Sequence, residues 1–416
     1  MSEPILPPEP EEEPLPPEDP ELGGMDESLP LQMRKRPGER SIAPPGLAGP
    51  SLAAPEGTMR QVLGRMRRSR LAMLGLMVIA VLLLVSVFAD LLASDLPLLC
   101  KIRGTTYVLP AVTHPPALAG VDNAHLGPDD WAILPLVPSG PRQTGTGGDL
   151  QPLRPPGLSR AHPLGTDAYG RDVFARLVHG ARTAMSIALL AVAAFVALGT
   201  ILGALGGFFG GPLDALVSRL VETLTAFPTL VLVLVVQAMV PHPTIATLLW
   251  TLALTRWTEV ARLVRAEVLL VASQDYVLAA RALGASPVRV LLRHVAPNAR
   301  APVLVSATFG LASVVLIEAA LDFLRVGLPG PVASWGEMLG QSRDHLGAWW
   351  LLVFPGLCLL LAVVALNLVG EALRDALDPR LRAAVGGSAG GPPADLGDGR
   401  PTIAPSATAF DGTTHA

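Results

Sequence analysis

The histidines and lysines of this chain are the residues that could ligate a metal ion or hold a nucleotide phosphate. The eight histidines form no HExxH pair and no comparable ligand spacing, so a membrane metalloprotease is unsupported. Lys35 and Lys101 are the only lysines, and neither ends a glycine-rich phosphate loop. We therefore predict no catalytic site, no metal site and no cofactor, and any ATP hydrolysis must come from a partner.

Two acidic residues lie in an apolar segment that is long enough to cross a membrane. Glu318 and Asp322 are one helical turn apart, toward the outer end of that segment. An ionisable residue within a span usually faces the bundle interior and serves function, which here would be lining a path for a positively charged solute group. Near the end of a span, however, a carboxylate can also extend into water. Both interpretations remain open at this point.

Residues 275–300 form a polar segment that could bind a partner protein. Gly284 suits the end of one short helix, and Pro287 suits the first turn of a second helix that ends near Pro297. Two short amphipathic helices at an angle fit a partner's groove. The basic side chains of this segment include Arg281, Arg289 and Arg293. These arginines could equally anchor the segment to anionic lipid headgroups.

The elements that must position these residues are membrane-spanning helices. Half of the 416 residues (50%) are hydrophobic and 16% are charged, against about a quarter charged in soluble domains. The apolar residues come in blocks of about twenty, the length that crosses a bilayer. We predict an all-α membrane protein with a six-span helical bundle and disordered termini. The predicted spans cover residues 71–92, 183–208, 220–240, 243–257, 301–324 and 349–368.

The same pattern divides the chain into six parts. They are a disordered acidic, Pro-rich tail with a basic flank (1–58), a juxtamembrane segment and first span (59–92), a long extracytoplasmic segment (93–182), the main transmembrane domain (183–370), a cytoplasmic end (371–382) and a second disordered tail (383–416). The basic cluster from Arg60 to Arg70 precedes the first span and places the N-terminus in the cytoplasm. Six crossings then place the C-terminus and residues 275–300 on the same side.

Two local signals concern the second span. Gly199, Gly203 and Gly207 recur every fourth residue, which predicts a closely packed helix neighbour. Asp167 and Asp172 precede the helix that leads into the span, and we expect both to cap its start.

In residues 275–300 the chain resembles the inner-membrane permeases of binding-protein-dependent ABC importers. The cytoplasmic loop of those permeases carries Glu-Ala-Ala, three residues, Gly, and a Leu-Pro near its end. The matching positions here are Ala279, Ala280, Gly284 and Pro297. Leu278 stands where Glu is usual, and Ala296 stands where Leu is usual.

Four further motifs are similar to the dipeptide, oligopeptide and nickel group of these permeases, and to its C-type subunit in particular. They are His162–Asp167 with Gly170–Asp172, Ala226–Thr229, Ser334–Leu339 and Leu373–Arg380. Asp322 and Arg325 depart from the pattern, because the group usually has Ser and Gly there. The segment from Asp95 to Arg160 also exceeds the usual length.

The resemblance implies a transport subunit of the inner membrane that is not itself an enzyme. It would form a heterodimer with a second permease, bind two cytoplasmic ATP-binding subunits and a solute-binding protein outside, contact membrane lipids, and bind no nucleic acid. The implied function is ATP-driven import of peptides by alternating access. The implied ATPase-coupling residues are Ala279, Ala280, Arg281, Gly284, Arg289, Arg293 and Pro297.

Three alternatives are weighed against peptide import. The same scaffold could carry nickel, glutathione or another small solute. A membrane-embedded enzyme would need catalytic residues converging at one depth, and the sequence offers none. An ion-driven secondary transporter would need inverted repeats and broken helices near mid-membrane acids, which are not evident in the sequence.

Overall fold

The computed structural model describes residues 58–102, 104–118, 127, 129–144, 151–157 and 162–377. The two predicted disordered tails lie outside these residues, except for residue 58, and so does the chain beyond residue 377. The described part is mostly helical, in agreement with the predicted all-α membrane class, and it adds one small sheet.

Thirteen α-helices follow one another in the described residues. They are α1 (Thr58–Arg68), α2 (Arg70–Val87), α3 (Ala89–Leu92), α4 (Pro110–Thr113), α5 (Val173–Phe209), α6 (Gly211–Thr225), α7 (Thr229–Ala238), α8 (Ile245–Ala272), α9 (Asp275–Ala282), α10 (Pro287–Val290), α11 (Arg300–Phe323), α12 (Trp335–Asp344) and α13 (Trp350–Leu377). A short 3-10 turn covers Pro116–Leu118, and a π-helical turn covers Leu291–Val295.

Four of these helices, α2, α5, α11 and α13, are long and apolar enough to cross a membrane. The α6–α7 pair makes a fifth if it is taken as one span, bent by 85° at the break before Thr229. Helix α8 has the length, with 28 residues, but Arg256, Glu259 and Arg262 lie within it. By length and composition the described residues therefore contain four or five spans, not six.

The direction of the helices nevertheless gives six passages through the bundle. Helices α5 and α8 run parallel, because Gly199 lies beside Trp257 and Gly207 lies beside Arg265. Two parallel helices need a return segment, and α6–α7 supplies it. The passages are α2, α5, α6–α7, α8, α11 and α13, which correspond in order to the six predicted spans.

The bounds of several spans differ from the prediction. Helix α5 begins at Val173 rather than Thr183, because Asp172 caps it there. The apolar part of the fourth span was predicted to end at residue 257 and to run on as a charged helix, and α8 does continue to Ala272 with an amphipathic second half. The first span breaks at Phe88, after which α3 continues for one turn.

The predicted glycine contact is confirmed, and α8 is the neighbour. A Cβ atom at Gly199 would lie 2.5 Å from the backbone oxygen of Trp257, and one at Gly207 would lie 3.0 Å from that of Arg265. A Cβ at Gly203 would collide with the backbone of Ala261. The two helices therefore touch backbone to backbone along three turns, which larger residues would prevent.

The two ends of the described chain meet at one end of the bundle. Val62 and Met66 of α1 pack against Ala376 of α13, and Nη1 of Arg65 donates a hydrogen bond to the carbonyl oxygen of Ala376 at 3.3 Å. Because the chain passes through the bundle six times, an even number, its first and last helices meet at the same end. We call this the inner end and the opposite one the outer end.

A three-stranded antiparallel sheet lies in the long segment at the outer end. Strands β1 (Leu99–Ile102), β2 (Thr105–Val108) and β3 (Trp131–Ile133) pair in the order β2-β1-β3. Cys100 and Ile102 point to a small core of their own. The sequence did not predict this sheet, because strands of three or four residues are too short to show a period.

We predict that Gly203→Ala weakens the bundle. The new methyl group meets main-chain atoms of α8, which cannot rotate away, so the helices must separate. The free energy of unfolding, measured by SDS titration in mixed micelles, should fall by about 1 to 3 kcal/mol. Gly64→Ala on α1 is the matched control, since nothing lies within 4 Å of its Cβ position. Equal losses in the two variants would contradict the contact.

Candidate coupling segment and buried ionic cluster

Gly284 ends α9 in the manner that the sequence predicts. The N–H of Ala285 donates to the carbonyl of Ala280 at 3.1 Å, and the N–H of Gly284 donates to that of Arg281 at 3.0 Å. This pair of bonds is the Schellman motif, and Gly284 adopts the left-handed conformation it requires, with φ of 81°. Because nothing lies within 4 Å of a Cβ there, the backbone conformation alone selects glycine.

The second short helix begins and ends close to the predicted positions. Pro287 occupies the first turn of α10, where its missing N–H costs nothing. The helix then widens into the π-helical turn Leu291–Val295, which the sequence analysis did not foresee. The chain turns through residues 296–299 before α11, so the helical part ends just before Pro297.

Residues 275–300, which we call the coupling segment, are fixed to the inner end of the bundle. Val277, Val290 and Val295 are fully buried in the main core. The guanidinium of Arg281 lies 4.9 Å from the ring centroid of Phe208, at the end of α5. The segment therefore contacts both α5 and α8.

The opposite face of the coupling segment is exposed and partly apolar. Leu283 is 89% exposed, Val288 58% and Leu292 65%. A groove of about 260 Å³ runs beside the segment and is lined by Phe208, Phe209, Arg281, Ala285 and Pro287. The other implied coupling residues fall into two groups. Four are exposed (Ala279, Gly284, Arg289 and Arg293), and two are half-buried (Ala280 and Pro297). Exposed leucine and valine between arginines form a surface suited to a protein partner.

A second site, at the outer end, joins two motifs that are far apart in sequence. In this outer cluster Nε of Arg171 lies 2.6 Å from Oδ2 of Asp167, and the Nη2 atoms of Arg171 and Arg176 bind the two carboxylate oxygens of Glu337 at 2.9 and 2.7 Å. Gln341 donates to Oε1 of Glu337 at 2.7 Å. The cluster ties the start of α5 to α12.

The charges of the outer cluster balance within a closed environment. Its two carboxylates face two guanidinium groups, and the side chains are between 0% and 19% exposed. Such a buried set is stable only while every member is present, because removing one leaves a charge without its partner. The sequence analysis singled out both motifs but did not predict their contact, since nothing local links positions so far apart.

The expectation for the two aspartates before α5 is half confirmed. Asp172 is the N-cap, since its Oδ1 accepts from the N–H of Ala175 at 2.7 Å, and its Oδ2 also binds Nδ1 of His162 at 2.8 Å. Asp167 as a cap is wrong. Its Oδ1 accepts from the N–H groups of Tyr169 and Arg171, so it closes the preceding turn and joins the outer cluster instead.

Glu318 and Asp322 are buried, at 1% and 3% exposure. Ser334 donates to Oε1 of Glu318 at 3.1 Å, and the N–H of Leu328 donates to Oδ1 of Asp322 at 2.6 Å. The interpretation in which both carboxylates extend into water is therefore wrong, because α12 and the turn after α11 cover them. Neither reaches a surface where a solute could touch it in this conformation.

The departure at Arg325 has a visible consequence. Arg325 has φ of 61°, in the left-handed region that favours the glycine usual in the resembling group. Its side chain forms an ion pair with Asp344 at the end of α12.

A polar group inside the bundle was missed by the sequence analysis. Nη2 of Arg256 binds Oε2 of Glu259 at 2.8 Å, Nη1 donates to Oγ of Ser313 on α11, and the guanidinium lies 5.6 Å from the ring centroid of Phe195 on α5. The contacts of Arg256 with Ser313 and Phe195 arise only in the tertiary fold, so the sequence alone did not reveal them. Three charges within seven residues of a buried helix were the signal.

Comparison with known proteins matches two parts of the chain to family models. Residues 181–383 match the binding-protein-dependent transport system inner membrane component. Residues 57–104 match the N-terminal TM domain of oligopeptide transport permease C.

Individual relatives cover just over half of the chain. The di/tripeptide transport system permease protein DppC of Pseudomonas aeruginosa is 41% identical over 53% of this chain and 73% of its own length. The oligopeptide transport system permease protein OppC of Bacillus subtilis is 38% identical over 55% and 74%. The dipeptide transport system permease protein DppC of Alkalihalophilus pseudofirmus is 37% identical over 55% and 75%.

We predict that Glu337→Gln destabilises the protein strongly. The variant leaves the two guanidinium groups of Arg171 and Arg176 with the single carboxylate of Asp167 in a buried site, at a cost of about 3 kcal/mol in the free energy of unfolding. Asp344→Asn is the control, because it removes the acid of an exposed pair on the same helix and should cost less than about 1 kcal/mol. SDS titration of both variants gives the comparison, and similar small losses would mean that the outer cluster contributes little.

Proposed function

This chain belongs to the family of inner membrane components of binding-protein-dependent transport systems, and we propose that it is one of two permease subunits of an ATP-driven peptide importer. The observation that carries the proposal is the coupling segment, a bent pair of helices that is fixed to the bundle on one face and exposed on the other. The peptide class rests on the names of the relatives that match over about three quarters of their length.

In this proposal two cytoplasmic ATP-binding subunits supply the hydrolysis. The chain has no lysine in a phosphate loop, so ATP hydrolysis requires partners that carry one. The exposed Leu283, Val288 and Leu292 would enter a groove of one such subunit, as short amphipathic helices do. A second permease would complete the bundle, and an extracytoplasmic binding protein would deliver the solute.

The mechanism is alternating access driven from the inner end. ATP binding would draw the two ATPases together and push the coupling segment. The Arg281–Phe208 contact and the buried valines pass that movement to α5 and α8, which move together because their backbones touch at the three glycines. The outer cluster joins α5 to α12, so the movement reaches the outer end as a rotation of packed helices.

Uptake by the reconstituted complex tests the proposed function. Proteoliposomes that contain this chain, its second permease subunit and both ATPases are mixed with the binding protein and radiolabelled trialanine. Uptake that requires ATP supports the proposal. ATP-dependent uptake of nickel with none of trialanine would assign the scaffold to another solute.

We predict that Gly284→Val uncouples ATP hydrolysis from uptake and leaves the protein in the membrane. A β-branched residue at φ of 81° is strained by at least about 1 kcal/mol, so the angle between α9 and α10 is lost while the bundle stays intact. Gly284→Asn is the control, because asparagine tolerates the left-handed conformation and should preserve coupling. The ratio of peptide taken up to ATP hydrolysed is the measurement. Equal ratios in the two variants would refute the role of the bend.

We predict that the coupling segment faces the cytoplasm, as the basic residues around the first span require. In right-side-out vesicles a membrane-impermeant maleimide should label Thr106→Cys in β2 and leave Ala282→Cys in α9 unlabelled until the membrane is opened. Both positions are exposed. The background from Cys100 is low, because burial raises the pKa of its thiol and keeps it protonated. Labelling of Ala282→Cys from outside would reverse the topology.

A further inference from the structure

Helix α8 presents charged side chains on the exposed side of the bundle. Glu259 is 45% exposed, and Arg262, one turn further along the same face, is exposed as well. Arg256 lies one turn before Glu259 and is 8% exposed, held between Ser313, Phe195 and the Glu259 carboxylate. The acid and the base that reach the surface are thus Glu259 and Arg262.

The depth of this pair follows from the helices around it. Ser313, which Arg256 contacts, lies near the middle of α11. Phe195 lies in the middle of the apolar part of α5, and Trp257 lies beside Gly199 on the next turn. Glu259 is therefore near the midplane of the bundle, and Arg262 is about 5 Å closer to the inner end at the helical rise of 1.5 Å per residue.

Charged groups at this depth cannot face lipid at a tolerable cost, so they face a partner chain or a water-filled path. Leu254, 55% exposed, lies on a different face of the helix from Glu259 and presents a hydrocarbon side chain there. Leu263, 37% exposed, lies one turn after Glu259, so the face that carries the two charges also carries an exposed apolar side chain.

We propose that Glu259 and Arg262 line the solute path and bind the two charged ends of a zwitterionic solute. This inference rests on the proposed import of peptides and names the residues that receive them. The Glu259 carboxylate accepts hydrogen bonds from the ammonium group, and the Arg262 guanidinium donates to the carboxylate. Side chains three residues apart on a helix lie about 5–6 Å from each other at Cβ, a spacing that a short peptide can bridge.

Arg256 is a positioning residue in this arrangement. It occupies one oxygen of the Glu259 carboxylate, and a carboxylate has acceptor sites left for a further donor. Its contacts with Ser313 and Phe195 hold the acid at the boundary between α8 and α11. Glu318 and Asp322 do not take the role of Glu259 in binding the ammonium group, because the chain encloses both carboxylates.

The test compares variants of the complete importer in proteoliposomes, with saturating trialanine-loaded binding protein. Glu259→Gln and Arg262→Gln should each lower the maximal rate of ATP-driven uptake by about tenfold, the effect of one charge-assisted hydrogen bond. The concentration of loaded binding protein that gives half-maximal uptake should stay unchanged. Glu371→Gln and Arg374→Gln are matched controls, since these residues form an exposed pair with the same spacing at the inner end of α13.

Each outcome decides between explanations. Unchanged uptake in both α8 variants overturns the inference while leaving the importer assignment intact. If the second permease is lost when the α8 variants are purified, Glu259 and Arg262 form a subunit contact, and the inference is overturned as well. Absence of ATP-dependent uptake by the unmodified complex overturns the proposed function, and this inference with it.

A labelling experiment covers the case in which a variant folds poorly. In the assembled complex Arg262→Cys, which keeps the Arg256–Glu259 ion pair, should react with a charged methanethiosulfonate reagent, and trialanine should slow that reaction. Leu254→Cys, on the lipid-facing side of the same helix, should not react. Equal reactivity at the two positions would contradict a water-filled path along α8.

Discussion

The backbone contact between α5 and α8 is the constraint on which the other features depend. Gly199, Gly203 and Gly207 allow the two helices to approach until main-chain atoms touch, and that approach fixes their parallel direction. Parallel neighbours require a return segment, so α6–α7 must run back through the bundle. The same contact brings Arg256 of α8 beside Phe195 of α5, and a charge becomes tolerable inside the bundle.

The two ends of the bundle are held by different forces. At the inner end, buried valines and one cation–π contact fix the coupling segment and leave a wide exposed surface. At the outer end, two arginines and two acids lock α5 to α12 with little exposed area. Packing contacts can slide, whereas a buried ionic cluster holds one geometry. The inner end therefore leaves a surface open to a partner, and the outer end holds α5 and α12 together.

Local signals in the sequence predicted the features that local physics decides. The bend at Gly284, the proline that starts α10, the cap at Asp172 and the glycine contact each follow from the backbone preferences of a few neighbouring residues. The outer cluster could not be predicted in this way, because Arg171 and Glu337 meet only through the tertiary fold. For the same reason the sequence could not decide whether Glu318 is buried or extends into water, since α12 covers it from a later part of the chain.

The packing of α1 on the last turns of α13 has a consequence for biosynthesis. The ribosome completes Val62 and Met66 long before their partner Ala376, so the apolar face of α1 stays uncovered while the intervening helices are made. Until then α1 can rest its apolar side on the lipid surface, with its arginines among the headgroups. The end of α13 can cover this apolar face only after all the other helices of the bundle have been made.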